Sequence, residues 1–130
     1  MNNQKNIVLC GVGGQGTVLA SKLLAAAAMS KDIPVMSAET IGMAQRGGSV
    51  FSHLRMGDNL YSPMIETGTA DLIIGFEPGE TVRMLPYLKG HGHIVVSTRA
   101  VKPVTATLSG SDYDAPQMLE YLKAAVPNLT

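Results

Sequence analysis

Residues 9–17 read LCGVGGQGT, and this glycine-dense stretch restricts the fold more than any other part of the chain. It follows a short apolar run, Asn6–Cys10 (NIVLC), and precedes Gln15–Ser30, where Leu19, Leu23 and Leu24 recur at helical spacing beside a run of alanines. A buried strand that passes so abruptly into a helix needs residues that turn sharply and let backbones approach, which is what glycine allows. Ile33–Ser37 (IPVMS) then reads as a second short strand. Strand, turn, helix and strand make a βαβ unit with a right-handed crossover.

Gly11, Gly13 and Gly16 fit the dinucleotide fingerprint G-x-G-x-x-G, with Gly14 as a fourth glycine outside it. In a nucleotide-binding reading Gly11 makes the turn, Gly13 admits a diphosphate, and Gly16 lets the helix pack on the sheet. The helix start beyond offers free N–H groups to an anion, and Glu39, near the end of the second strand, is placed for ribose hydroxyls. The alternative is that the same glycines form only a tight strand-to-helix turn. The motif alone does not separate the two.

Further along, Ser49–Met56 (SVFSHLRM) is strand-like, and the turn residues Gly57-Asp58-Asn59 before LYSP predict a hairpin. Asp71–Phe76 (DLIIGF) reads as a buried strand, after which Glu77-Pro78 opens a short helix that Pro86 ends or bends. His93–Thr98 (HIVVST) and VTATL after Pro103 are strand-like. Asp114 is placed to cap a last helix with Met118, Leu119 and Leu122 on one face, stopped by Pro127. The expected fold is α/β, a Rossmann-like three-layer sandwich whose sheet is mostly parallel with an inserted hairpin, in a single domain over residues 1–130.

With 130 residues there is room for one core but not for a separate substrate domain, which weighs against a dehydrogenase. Ten basic and ten acidic residues cancel, so no basic field recruits nucleic acid, and no apolar stretch spans a bilayer or forms an export signal. A cytoplasmic location is the expectation. The single cysteine, Cys10, excludes an internal disulfide and an all-cysteine iron–sulfur site within one chain. His53 falls inside a predicted strand, and His91 and His93 flank Gly92 with no third ligand, so no metal site and no catalytic acid–base pair is expected.

The loop leading into Ser49 carries Gln45-Arg46-Gly47-Gly48, where glycines free the backbone and the guanidinium can meet a planar anion or remain solvated. GVGGQGTVLASKLL, SAETIGMAQRGGSVFSHLRMG, LYSP, ADLIIGFEP and LPYLK together resemble the small, gamma-type subunit of the 2-oxoacid:ferredoxin oxidoreductases. The likeness is greatest to the indolepyruvate branch of that family and runs from about Ile7 to Pro103, with GMAQRGGSVFSH its most specific part.

The resemblance implies a subunit that bears no cofactor, inactive alone, partnered by a large alpha subunit that carries thiamine diphosphate and [4Fe–4S] clusters. It implies oxidative decarboxylation of aryl 2-oxoacids such as indolepyruvate to aryl-acetyl-CoA. Coenzyme A is the co-substrate, and electrons pass to ferredoxin. Under it, Gly11, Gly13, Gly14 and Gly16 are first a structural turn and second an anion site for a coenzyme A phosphate, while Gln45 and Arg46 contact the partner or a shared ligand. Family members continue well past the point where this sequence stops, so a C-terminal segment is expected to be lacking and exposed apolar surface to favour self-association. The alternative function is a stand-alone nucleotide-binding module for NAD or a flavin.

Overall fold

The computed structural model describes residues 4–41, 49–99 and 115–130. The expected strand VTATL, the capping residue Asp114, and Gln45 and Arg46 lie outside the described residues. Among the described residues five strands form one sheet in the order β2-β3-β1-β4-β5, with β1 at Lys5–Val12, β2 at Val35–Ile41, β3 at Ser49–Met56, β4 at Ala70–Gly75 and β5 at Leu88–Val96. Among the described residues three helices join it, α1 (Thr17–Ser30), α2 (Pro78–Arg83) and α3 (Ala115–Ala125), with a 3₁₀ turn at Leu85–Tyr87.

The α/β class holds, but the sheet is mixed rather than mostly parallel. β1–β4 and β4–β5 are parallel ladders, whereas β1–β3 and β2–β3 are antiparallel. The inserted element also differs from the expected hairpin. No strand comes directly after Gly57-Asp58-Asn59, although Gly57 and Asn59 do turn the chain at φ 124° and 62°. Instead the Arg55 guanidinium donates to Ser62 O (2.9 Å), Asn6 Oδ1 (3.0 Å) and Gln4 Oε1 (3.1 Å), so LYSP is stapled across the end of β3 and does not pair with it. β3 itself is the insertion, lying between β1 and β2.

Burial follows from strand position. β1 is central and covered on both faces, so its apolar residues run on without alternation. Val8, Cys10, Ile73 and Ile94 point to one face, where they meet Met84, Leu122 and Val126 from the α2–α3 side. Leu9 and Leu54, displaced by one residue, face α1, which packs on β3, β2 and β1. At the β5 edge, residues 128–130 run parallel beside it, with Ile94 N donating to Asn128 O (2.9 Å) and Thr130 N to Ile94 O (2.8 Å).

The face of α1 expected to be buried is not. Leu19 and Leu23 are 61% and 63% exposed, and Thr17, Ser21 and Ala28 take the sheet side. α1 is apolar nearly all round, so helical spacing does not select a face. The smallest side chains go where the helix lies closest to the sheet.

Candidate functional site

β1 continues as a strand through Val12, one residue past Gly11, and the turn is made by Gly13–Gly16 with Gln15 N donating to Val12 O at 3.2 Å. Gly14 and Gly16 have φ of 91° and 90°, backbone that L-residues with side chains rarely adopt, and Gly16 is the N-cap of α1. Gly11 therefore does not make the turn. It lies opposite Val50 in the β1–β3 ladder, and its role is close approach. A Cβ there would stand 2.8 Å from both Gln15 Oε1 and Thr17 Oγ1, and 3.0 Å from Phe76 Cβ.

Gln15 fills the space that Gly11 leaves. Its Oε1 accepts from Val12 N at 2.7 Å and its Nε2 donates to Phe76 O at 3.2 Å, binding the elbow to the end of β4. Sequence reasoning passed over this residue. The available signal was a primary amide, donor and acceptor together, set among glycines where backbone groups would otherwise lack partners.

The four glycines named from the sequence are thus brought to one edge of the sheet. Beside them lies a cleft of about 240 Å³ bounded by Gly13, Gly14, Gly16, Val18, Leu19 and Val50. α1 has no side-chain cap and no acidic residue in its first turn, so its first N–H groups and the positive end of its dipole are uncompensated. That arrangement suits an anion attached to an apolar group.

It does not suit a dinucleotide. In the fingerprint fold the second strand adjoins the first, which brings its acidic residue to the ribose. Here β3 separates β2 from β1, and Glu39 pairs with Ser52 two strands from the elbow strand, on the order of 10 Å away in the plane of the sheet. The expected Glu39 contact is therefore not assembled.

A polar cluster secures the same edge. Ser49 Oγ donates to Glu80 Oε1 at 2.9 Å, and Arg83 Nε lies 3.9 Å from Glu80 Oε2. Glu77, fully buried, accepts from Glu80 N at 2.9 Å and caps α2. Burial pushes the Glu80 carboxyl above the usual range, against the Ser49 hydrogen bond. Cys10 is buried beneath, 3.9 Å from Thr81 Oγ1, and desolvation pushes its thiol up to about 12. Such a group is a core residue, not a thiolate ligand.

A family profile described as Pyruvate ferredoxin/flavodoxin oxidoreductase matches residues 6–126. The chain belongs to the pyruvate ferredoxin/flavodoxin oxidoreductase family. Two of its relatives are named indolepyruvate oxidoreductase subunit IorB. The one from Methanothermobacter thermautotrophicus is 42% identical over 83% of this chain and 55% of its own length. The one from Archaeoglobus fulgidus is 39% identical over 95% of this chain and 62% of its own. The chain therefore spans little more than half the length of the curated relatives it matches. Among solved structures, pyruvate oxidoreductase subunit PORC of Thermotoga maritima has the same fold, with a TM-score of 0.60 at 22% identity over 83% of this chain and 56% of that one.

For a pyruvate ferredoxin/flavodoxin oxidoreductase chain, the donor set here does not fit an iron–sulfur cluster. The sequence holds one cysteine, and among the described residues no group of three His, Cys, Asp or Glu side chains converges on a point. Among them, too, no helix is long and apolar enough to cross a membrane.

Proposed function

We propose that this chain is the small, gamma-type subunit of an indolepyruvate (aryl 2-oxoacid):ferredoxin oxidoreductase. The observation that carries this reading is the identity of about 40% to IorB proteins over most of the chain. The large partner subunit holds thiamine diphosphate and the [4Fe–4S] clusters. The complex converts an aryl 2-oxoacid and coenzyme A to aryl-acetyl-CoA and carbon dioxide, and two electrons go to ferredoxin one at a time. One buried, protonated thiol on the small subunit agrees with this division of labour.

Within the complex, the elbow at Gly11, Gly13, Gly14 and Gly16 is first a structural joint and second an anion site for a coenzyme A phosphate. Gln45 and Arg46 contact the partner or that same ligand. The chain leaves the described region at Ile41 and re-enters at Ser49, which pair with Val50 and Val12 on the edge that carries the elbow. A stand-alone NAD or flavin module is the weaker reading, because Glu39 stands two strands from the elbow strand.

The test is an anaerobic pull-down with the 130-residue chain as bait, followed by assay of the eluate. A captured large subunit with iron–sulfur absorbance, turning over indolepyruvate with coenzyme A and ferredoxin, is the expected result. A partner-free chain that binds NAD or a flavin would overturn the reading. Titration of the captured complex with coenzyme A and with its dephospho form separates a phosphate site from a purely structural elbow.

A further inference from the structure

The loop between β3 and β4, residues 57–69, is held to the body of the molecule at both shoulders and yet leaves its largest side chain in water. Gln4 Nε2 donates to Asp58 O (2.8 Å) and Asn59 O (3.1 Å), and the Arg55 guanidinium donates to Ser62 O (2.9 Å). Beyond them Ile65 N donates to His53 Nδ1 (2.8 Å), and the Ile65 side chain is buried in the core. Between these fixed points Tyr61 is 89% exposed, more than any other large apolar or aromatic side chain among the described residues. Met64, on the same loop, is 48% exposed.

The register separates this loop from the elbow. Met56 pairs with Lys5 and Leu72 with Ile7, so the loop hangs from the end of the sheet where β1 begins. Ile41, Ser49 and Val96 all lie at the opposite end, paired with Val50, Val12 and Gly75. An aromatic ring on a loop without internal anchors carries no information, but here the backbone on either side of Tyr61 is ordered by folding itself. Docking Tyr61 then costs little beyond the freedom of its own χ angles, the condition under which tyrosine serves as a binding anchor. Tyrosine and methionine are also residue types enriched at the centres of protein interfaces. The rim of the loop is acidic, because Asp58 and Glu66 are exposed and residues 57–69 contain no lysine or arginine.

We propose that Tyr61 is an anchor through which this chain docks on the large subunit of the oxidoreductase, its ring entering an apolar pocket whose basic rim faces Asp58 and Glu66. The proposal rests on the assignment of this chain as the small subunit. It puts this contact at the end of the sheet away from the elbow. Arg55 is a positioning residue for it. By holding Ser62 O while its other donors are taken by Asn6 Oδ1 and Gln4 Oε1, it fixes the backbone next to Tyr61.

The test titrates the large subunit, recovered from the complex that the parent chain captures anaerobically, against immobilised parent and variants. Tyr61→Ala is expected to bind at least about tenfold more weakly. It keeps the parent's melting temperature, since a ring so exposed adds nothing to the core. Tyr121→Ala, which removes a ring 57% exposed on α3, is the control and is expected to bind as the parent does. Asp58→Lys with Glu66→Lys is expected to weaken binding at low salt and to lose that difference at high salt. Parent-like affinity in Tyr61→Ala or in the charge-reversed variant, or an equal loss in Tyr121→Ala, would overturn the proposal while leaving the subunit assignment intact. A parent chain that captures no large subunit would overturn both. A doubled mass of the isolated chain by light scattering, abolished by Tyr61→Ala, would overturn it in favour of a second copy as the partner.

Discussion

Replacing Gly11 with alanine tests the elbow as a mechanical joint, and the two effects of the substitution have opposite signs. Gly11 has ordinary extended backbone within β1, so an alanine with room for its methyl group would stabilise the protein by about 0.4–1 kcal/mol through the unfolded chain. The structure leaves no such room. The added Cβ would sit 2.8 Å from Gln15 Oε1 and Thr17 Oγ1 and 3.0 Å from Phe76 Cβ, inside contact distance on three sides. Overpacking of this kind costs about 1–3 kcal/mol. Displacing Gln15 also strains its bonds to Val12 N and Phe76 O, worth about 1 kcal/mol each. The expected net effect is destabilisation of about 2–4 kcal/mol, measured as a fall in the urea midpoint at constant m-value.

Gln15→Ala in a double-mutant cycle identifies the cause. With the amide gone, part of the clash disappears, so the double variant is less destabilised than the sum by about 1 kcal/mol or more. Gly14→Ala is the contrasting control. Its Cβ meets nothing within 4 Å, but φ is +91°, so it costs about 1–2 kcal/mol from backbone strain with no coupling to Gln15. A stabilising or silent Gly11→Ala, or an additive cycle with Gln15→Ala, would refute the packing argument.

Two further predictions concern titration. His53 Nδ1 accepts from Ile65 N at 2.8 Å and burial lowers its pKa, so the folded protein keeps the ring neutral where the unfolded chain, near 6.5, takes up a proton. Stability is therefore flat above that pH and falls below it toward the lowered folded pKa, by at most about 1.4 kcal/mol per pH unit. Urea midpoints from pH 8 to pH 5 should show this slope in the parent and not in His53→Gln; equal slopes would remove His53 as its cause. Glu80 has the opposite linkage, since its folded pKa is raised. Its penalty is absent below the unfolded value of 4.5 and grows as pH rises through the folded value. Glu80→Gln keeps an acceptor for Ser49, so its melting temperature should exceed the parent's by a few degrees at pH 7 and match it near pH 4; a lower value at pH 7 would refute this.

Elements whose determinants are local were legible in the sequence. β4 reads as an apolar run, and α2 declares itself through Glu77 as cap and Pro78 as first residue. Pairing was not legible, because nothing in SVFSHLRM says that its neighbours are β1 and β2. The turn signal at Gly57-Asp58-Asn59 was real, but tertiary contacts decide the path of the chain beyond it. Ile65 N bonds His53, and Arg55 holds Ser62 O in place of a ladder. The glycines of the site were readable and their division of labour was not, since close approach at Gly11 depends on where Gln15, Thr17 and Phe76 arrive.

The antiparallel β3 changes what the glycine motif is able to do. A fingerprint works only as a constellation, the glycines to admit the diphosphate and an acidic side chain one strand away to take the ribose. Inserting a strand between the two keeps the first half and removes the second. What remains is an uncapped helix start beside an apolar cleft, without the acidic partner that a ribose needs. The same insertion brings the start of β3 back to that edge, where Ser49 ties it to Glu80 of α2. The strand that separates Glu39 from the elbow therefore also joins β1 to α2 at that edge. One inserted strand thus both parts Glu39 from the elbow and ties β1, β2 and α2 together at the same edge.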